Sequence, residues 1–411
     1  MSSAKPPITP FSPYQKLVVA ILAFLQFTVI LDFMIMSPLG AMMMPALQIQ
    51  PAQFGVAVSV YAFSAGISGL MAAGFADKYD RKKLLLLFYC GFVLGTFLCG
   101  IANTYHFLLF ARMVTGLFGG VVGSTCMAII TDVFPLEMRG RVMGVIQSAF
   151  GGSQILGLPI GLFLSNHFGW HAPFLMIVLM SSLAGVVIFA KLKPIDGHLG
   201  LHPDRNPFHH LQTTIRNPKY VFAFCVTALL SIGGFMMMPF GSAFTVHNLG
   251  IDIEKLPMIY LITGLFSIVM GPFVGRLSDR FGKYRTFVFG SCMSVLMVLI
   301  YTNLGITPLP LVILVNVLMF VGIFSRMIPS QALMSAIPEP ASRGAFMSVS
   351  SSLQQISGGI ASVIAGLIVI AKTDGSLEHF NVLGYVMLGT ITTSVIMMYF
   401  IHRSIVEKTS T

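Results

Sequence analysis

Asp77-Lys78-Tyr79-Asp80-Arg81-Lys82-Lys83 is answered, 202 residues later, by Asp279-Arg280-Phe281-Gly282-Lys283-Tyr284-Arg285. Each of these short charged runs follows a long apolar one, and two further anchors keep almost the same offset. Pro38-Leu39-Gly40 is matched by Pro239-Phe240-Gly241, and Arg139-Gly140 by Arg343-Gly344. A near-constant offset over three anchors makes the chain two related halves.

Working outward from these loops, the apolar runs fix the class. Only 9% of residues are charged and 55% are hydrophobic, whereas a water-soluble domain carries about 25% charged residues. At about 20 residues per crossing, the runs between turn signals give twelve spans, near 17–45, 52–76, 84–103, 106–131, 142–165, 171–192, 219–247, 257–278, 286–304, 308–335, 345–371 and 381–403. The expected fold is an all-α integral membrane protein of twelve transmembrane helices in two six-helix pseudo-symmetric halves. A tail over 1–16 precedes a bundle over 17–192, a polar linker over 193–218 joins it to a second bundle over 219–403, and 404–411 form the last tail. The first apolar run is too long for a cleavable signal.

The net charge of +10 is a matter of topology. Of the 24 Lys and Arg, only Lys255 and Lys372 fall on one set of loops and only Arg112 and Arg326 within spans; the others lie on the loops and tails of the opposite face. This asymmetry puts both termini in the cytoplasm and directs the basic surface to anionic lipid rather than nucleic acid. Cys90, Cys99, Cys126, Cys225 and Cys292 have no metal-ligand spacing and read as small apolar residues. His198, His202, His209 and His210 of the linker match no metal pattern either. With no phosphate loop, catalytic triad or zinc motif, the sequence calls for neither enzyme activity nor a cofactor.

Charges inside spans are the sharpest signal. An ionisable group in hydrocarbon costs several kcal/mol and is a functional candidate by default. Asp32 lies midway along the first span, Arg112 about two turns into the fourth and Arg326 near the middle of the tenth. By the half-repeat register Asp32 corresponds to about Gly233 and Arg326 to about Gly123, so neither of these charges is repeated in the other half, whereas a requirement of the two-fold scaffold would recur. Asp32 with Arg112 or Arg326 reads either as a buried ion pair that avoids two uncompensated charges, or as a proton site that loads when the pair parts and releases when it forms. One Asp against two Arg leaves a surplus positive charge that suits anionic or zwitterionic cargo. Met34, Met36, Met42 to Met44 and Met236 to Met238 offer soft apolar lining. Gln26, Gln147, Gln154, Asn316, Gln331 and Gln354 are candidates for orienting contacts, since amides in hydrocarbon need partners.

Several of these stretches resemble the major facilitator superfamily. Gly275 through Asp279, Arg280, Gly282 and Lys283 is similar to its G-x-x-x-D-R-x-G-R-K loop; the first copy departs, with Ala73 and Asp80 where glycines are expected. Arg112-Met113-Val114-Thr115-Gly116 resembles the R-x-x-x-G signature of the fourth helix. Gly157-Leu158-Pro159-Ile160-Gly161 looks like a degraded antiporter motif, and Gly169 to Phe174 with Leu31-Asp32 is similar to the twelve-span drug/proton antiporter branch. The resemblance implies alternating access, with helices one and seven lining the cavity. It implies a gating role for Asp77, Arg81, Arg139, Asp279, Arg280, Lys283 and Arg343, Asp77 facing the start of helix eleven and Asp279 that of helix five. On residue chemistry alone these loops serve equally as sharp turns at the membrane surface. Asp80 adds a carboxylate beside Arg81 and is expected to compete for the first latch. Gly116, Gly157 and Gly161 fit close helix packing, with Pro159 adding a bend.

The expected function is a proton-coupled exporter of a small amphipathic or anionic compound, acting as a monomer in a bacterial inner membrane and contacting protons, lipids and a small-molecule substrate. The alternatives are an uptake symporter or facilitator, including a lipid or lysolipid carrier, and a non-transporting sensor of the same fold.

Overall fold

The computed structural model describes residues 10–75, 78–197, 199, 213–339 and 343–410. Twelve helices among them are long and apolar enough to cross a membrane. They are α1 (Pro13–Leu47), α2 (Pro51–Phe75), α3 (Arg81–Gly100), α4 (Tyr105–Val133), α5 (Leu136–Gly152 and Leu158–Phe168, joined by the π turn Ser153–Gly157) and α6 (Ala172–Lys191). The second half has α7 (Pro218–Phe235, continued by short 3₁₀, α and π turns to Asn248), α8 (Leu256–Phe281), α9 (Lys283–Thr302), α10 (Leu309–Ser335), α11 (Arg343–Ile368) and α12 (Phe380–Ser410). This is the integral membrane architecture expected, and it is helical but for one detail. The eleventh span, expected to reach 371, stops at Ile368. There β1 (Ile370–Ala371) pairs antiparallel with β2 (Leu377–Glu378), closed by a 2.9 Å Lys372–Glu378 ion pair.

Helix ends follow local chemistry. Ser12 and Gln15 form a capping box at the start of α1, and Thr104 and Asn217 cap α4 and α7 through their side-chain oxygens. The two charged loops are built differently. Gly282 has φ +95° between α8 and α9, a conformation that favours glycine. Asp80, at the corresponding place in the first half, has φ −54° and caps α3 by accepting from Lys82 N and Lys83 N. The first loop therefore has no need of glycine there, and Oδ1 of the carboxylate serves as a helix cap; the latch at Asp77, for which Asp80 is expected to compete, lies outside the described residues.

Apolar packing divides the bundle along its length. At the end opposite the chain termini, the far face, one continuous core joins both halves, from Leu39, Phe54 and Trp170 to Phe240, Tyr301 and Phe380. Toward the tail face the core divides into two clusters, one around Leu22, Tyr89 and Val142, the other around Tyr220, Phe287 and Phe346, and α2 still meets the second through Leu70 and meets α11 through Gly66 and Gly69. Hydrogen bonds between the halves follow that division. Ser37 donates to Met238 O, Ser242 to Ser37 O at 2.8 Å, Ser59 to Gly359 O at 2.8 Å and Asn166 to Ile253 O at 3.4 Å.

Candidate functional site

The first half gathers its polar side chains around Asp32, in the middle of α1. Asp32 Oδ2 accepts from Arg112 Nη1 of α4 at 2.8 Å, and both side chains are fully withdrawn from solvent. The second oxygen, Oδ1, accepts from the Thr96 hydroxyl of α3 at 3.1 Å. The Arg112 guanidinium lies 4.4 Å from the centre of the Tyr61 ring on α2, so four helices contribute to one small polar core.

Small residues allow this closeness. A Cβ on Gly116 would sit 2.4 Å from Tyr61 O, and one on Gly95 would sit 2.6 Å from Thr115 N, which fixes the crossings of α4 with α2 and α3. On α5, Gly157 lies against Leu31, next to Asp32, and Gly161 against Ile35, about one turn further along α1. Pro159 is the second residue after the π turn, whose widened geometry is a further irregularity in α5 beside the expected proline. Ser153 in that turn donates to Phe27 O of α1 at 3.0 Å.

The guanidinium is incompletely satisfied: Arg112 Nε and Nη2 are buried without acceptors. An aromatic face covers part of its charge at about 2 kcal/mol or more when desolvated. The carboxylate neutralises the rest, so the pair itself carries no net charge.

Arg326 is placed elsewhere. Its Nη2 donates to Ser394 Oγ of α12 at 3.2 Å, its guanidinium lies 5.9 Å from the Phe287 ring of α9, and Nε has no acceptor. Of the two pairings open to Asp32, the structure thus forms the one with Arg112. Among the described residues Arg326 has no ion pair.

The other expected positions separate. Met36 and Met237 are buried in the far-face core. Gln154 is buried in the π turn with Oε1 unpartnered. Gln26 is half-buried near Gly123, Asn316 donates back to Val312 O at 2.9 Å, and Gln331 and Gln354 are exposed. Asp77 lies outside the described residues, as do the side chains of Gln147 and Arg343. Arg81 Nε meets Asp132 Oδ2 at 3.0 Å, and Arg139 donates to Phe134 O and Thr131 O at 2.9 and 2.8 Å. Both guanidiniums therefore hold the tail-face end of α4. Asp279, Arg280 and Lys283 are exposed. Tyr61, Thr96 and Phe33 escaped the sequence reading because hydroxyls and rings within spans are common; only their register with Asp32 and Arg112 marks them.

The sequence matches the Major Facilitator Superfamily over residues 22–405. The chain belongs to the major facilitator superfamily. It is a membrane transporter with twelve spans, not an enzyme, of a superfamily whose members bind small-molecule substrates. Among similar proteins, this transporter is 26% identical to the uncharacterized MFS-type transporter YceJ of Bacillus subtilis (strain 168), over 85% of this chain and 87% of that one. It is 24% identical to Multidrug resistance protein 2 of the same organism, over 66% and 69%. In fold it is similar to the nucleoside transporter NupG (TM-score 0.75, 14% identity, 94% and 99% covered). A bacterial homologue of the human lysosomal transporter Spinster gives TM-score 0.70 at 15% identity, covering 95% and 96%.

Proposed function

We propose that this transporter is a proton-coupled exporter of small amphipathic or anionic compounds, with Asp32 as the proton site. The supporting observation is the fully buried Asp32–Arg112 pair: one protonatable carboxylate, within reach of one guanidinium that compensates it. Separation of the pair would favour proton uptake by the carboxylate, and its re-formation would favour release. That alternation is the requirement for coupling cargo movement to a proton.

Alternating access has a physical basis in the division of the core. By the distribution of Lys and Arg the tail face is cytoplasmic, in a bacterial inner membrane, which makes the arrangement with a shared far-face core an inward-open one. Asp279 and the start of α5 would meet when the tail face closes, and Arg112 and Arg326 would bias the interior toward anionic groups. Phe33, Tyr61 and Phe235 supply apolar surface next to the charge pair. The names of multidrug resistance relatives agree with export.

The test is a proteoliposome assay with a pH-sensitive dye inside and a panel of amphipathic anions, zwitterions and cations outside. At least one compound should drive proton flux in the parent and none in Asp32→Asn. Concentrative transport by Asp32→Asn equal to that of the parent would remove Asp32 as the coupling site.

A further inference from the structure

Thr96 sits between two acceptors with one proton to give. Its Oγ1 is 3.1 Å from Asp32 Oδ1 and 3.0 Å from Phe92 O, one turn back on α3. The side chain is buried, so no solvent competes for either contact. Asp32 Oδ2 is already engaged by Arg112. The fate of Oδ1 therefore rests on the direction in which the Thr96 hydroxyl points.

We infer that Thr96 is a two-position hydrogen-bond switch that serves both protonation states of Asp32. With Asp32 ionised, Thr96 O–H donates to Oδ1. When Oδ1 takes a proton, the new carboxylic O–H donates to Thr96 Oγ1, and the threonine proton turns to Phe92 O. That carbonyl has a second lone pair free beside its helical bond. No buried donor or acceptor of this trio is orphaned in either state, and no atom has to move far. The proton itself enters and leaves at Asp32; Thr96 only reverses its hydrogen bond. It is a positioning residue, and this role rests on the reading of Asp32 as the proton site.

The surroundings make the switch matter. The titratable and charged groups near Asp32 are Arg112 from α4, Tyr61 from α2 and Cys99 from α3. Gly157 and the π turn of α5 pack on the same stretch of α1 without adding a charge. Among the described residues Thr96 is the neutral group hydrogen-bonded to Asp32, and its hydroxyl can donate to the carboxylate and accept from the acid. Because a hydrogen bond to a charged acceptor is about twice as strong as a neutral one, removing Thr96 weakens the ionised form more.

The experiment is a pH-titrated infrared spectrum of the full-length protein in lipid nanodiscs, which needs no cargo. The band of protonated Asp32 is the carboxylic carbonyl stretch that Asp32→Asn lacks. Thr96→Val, close in shape, should move its midpoint about one unit to higher pH and raise its frequency, since the acid proton loses its acceptor. Thr96→Ser should keep both near the parent values. An unchanged midpoint and frequency in Thr96→Val would overturn the switch while leaving Asp32 as the proton site. Absence of any titrating band that depends on Asp32 would overturn both readings. Thr96→Ala repeats the measurement should the valine variant fold poorly.

Discussion

Phe33 of α1 and Phe235 of α7 meet edge to face across the two halves, with ring centres 6.0 Å apart. On its other side Phe33 touches the Tyr61 ring at 5.5 Å, and that ring covers the Arg112 guanidinium at 4.4 Å. The charge pair of the first half is therefore in unbroken side-chain contact with a helix of the second. Sliding of α7 against α1 would be felt by the ring that shields the cation.

Tyr61 is the residue through which this contact can be tested. Tyr61→Phe keeps an aromatic face and should transport like the parent. Tyr61→Leu removes the face, and about 2 kcal/mol or more of cation–π attraction with it. The proton-to-cargo ratio in proteoliposomes should fall in Tyr61→Leu and not in Tyr61→Phe; equal ratios would leave the ring as packing alone.

A second prediction concerns the pair itself. Removing one partner of a buried ion pair leaves an uncompensated charge, at a cost of about 3 to 5 kcal/mol. Arg112→Gln and Asp32→Asn should each lower the unfolding temperature in detergent markedly. The double variant should be more stable than the more damaged single one. Additive losses would mean the two side chains do not act as a unit.

Much of the fold was legible because membrane helices must satisfy their backbone internally, so that apolar length alone reports them. The loop repeat and the positions of Asp32 and Arg112 were legible for the same reason: a charge or a short basic loop stands out against hydrocarbon. What sequence could not supply was direction. Arg326 and Arg112 look alike as isolated cations in spans, yet one turns to Asp32 and the other to Ser394. Asp80 reads from sequence as an extra charge beside Arg81, and its second role as a helix cap, accepting from Lys82 N at 2.7 Å, depends on a backbone conformation that composition does not report. The π turn before Pro159 has no composition signal of its own.

Arg326 gives a third test. A buried guanidinium that no carboxylate compensates carries a desolvation cost, and an apolar side chain of similar volume at its place avoids that cost. Arg326→Met should therefore unfold at the parent temperature or above it, while transport of anionic compounds falls relative to neutral analogues. A destabilised variant with unchanged selectivity would assign Arg326 to structure.

Glycines separate packing within a half from packing between halves. A Cβ on Gly116 would approach Tyr61 O to 2.4 Å within the first half; one on Gly55 would approach Ser362 O to 2.5 Å across the α2–α11 seam. Overpacking of this kind costs about 1 to 3 kcal/mol. Gly116→Ala should lower unfolding stability in any conformation. Gly55→Ala should instead disfavour the form with the far face closed, and about 1.4 kcal/mol there changes the population ratio tenfold. Spin-label distances between the far ends of α2 and α11 should lengthen in Gly55→Ala and stay at parent values in Gly116→Ala.

The two charged loops make the last distinction, between a cap and a latch. Asp80 caps α3 and also accepts from Ile195 N at 3.4 Å, so Asp80→Ala should cost about 0.5 to 2 kcal/mol of stability and leave the conformational equilibrium alone. Asp279 is exposed and makes no hydrogen bond or ion pair with the described residues. Its substitution should be silent for stability here. If the start of α5 is its partner when the tail face closes, Asp279→Asn removes a charge–dipole attraction of about 0.3 to 2 kcal/mol from that state only, and the ratio of tail-open to tail-closed forms rises about 2- to 30-fold. A cysteine introduced as Gly275→Cys, where added side-chain atoms meet open space, reports the change as faster labelling from the tail face. Labelling at the parent rate in Asp279→Asn would leave this loop as a turn set by Gly282 and its charges as topology signals.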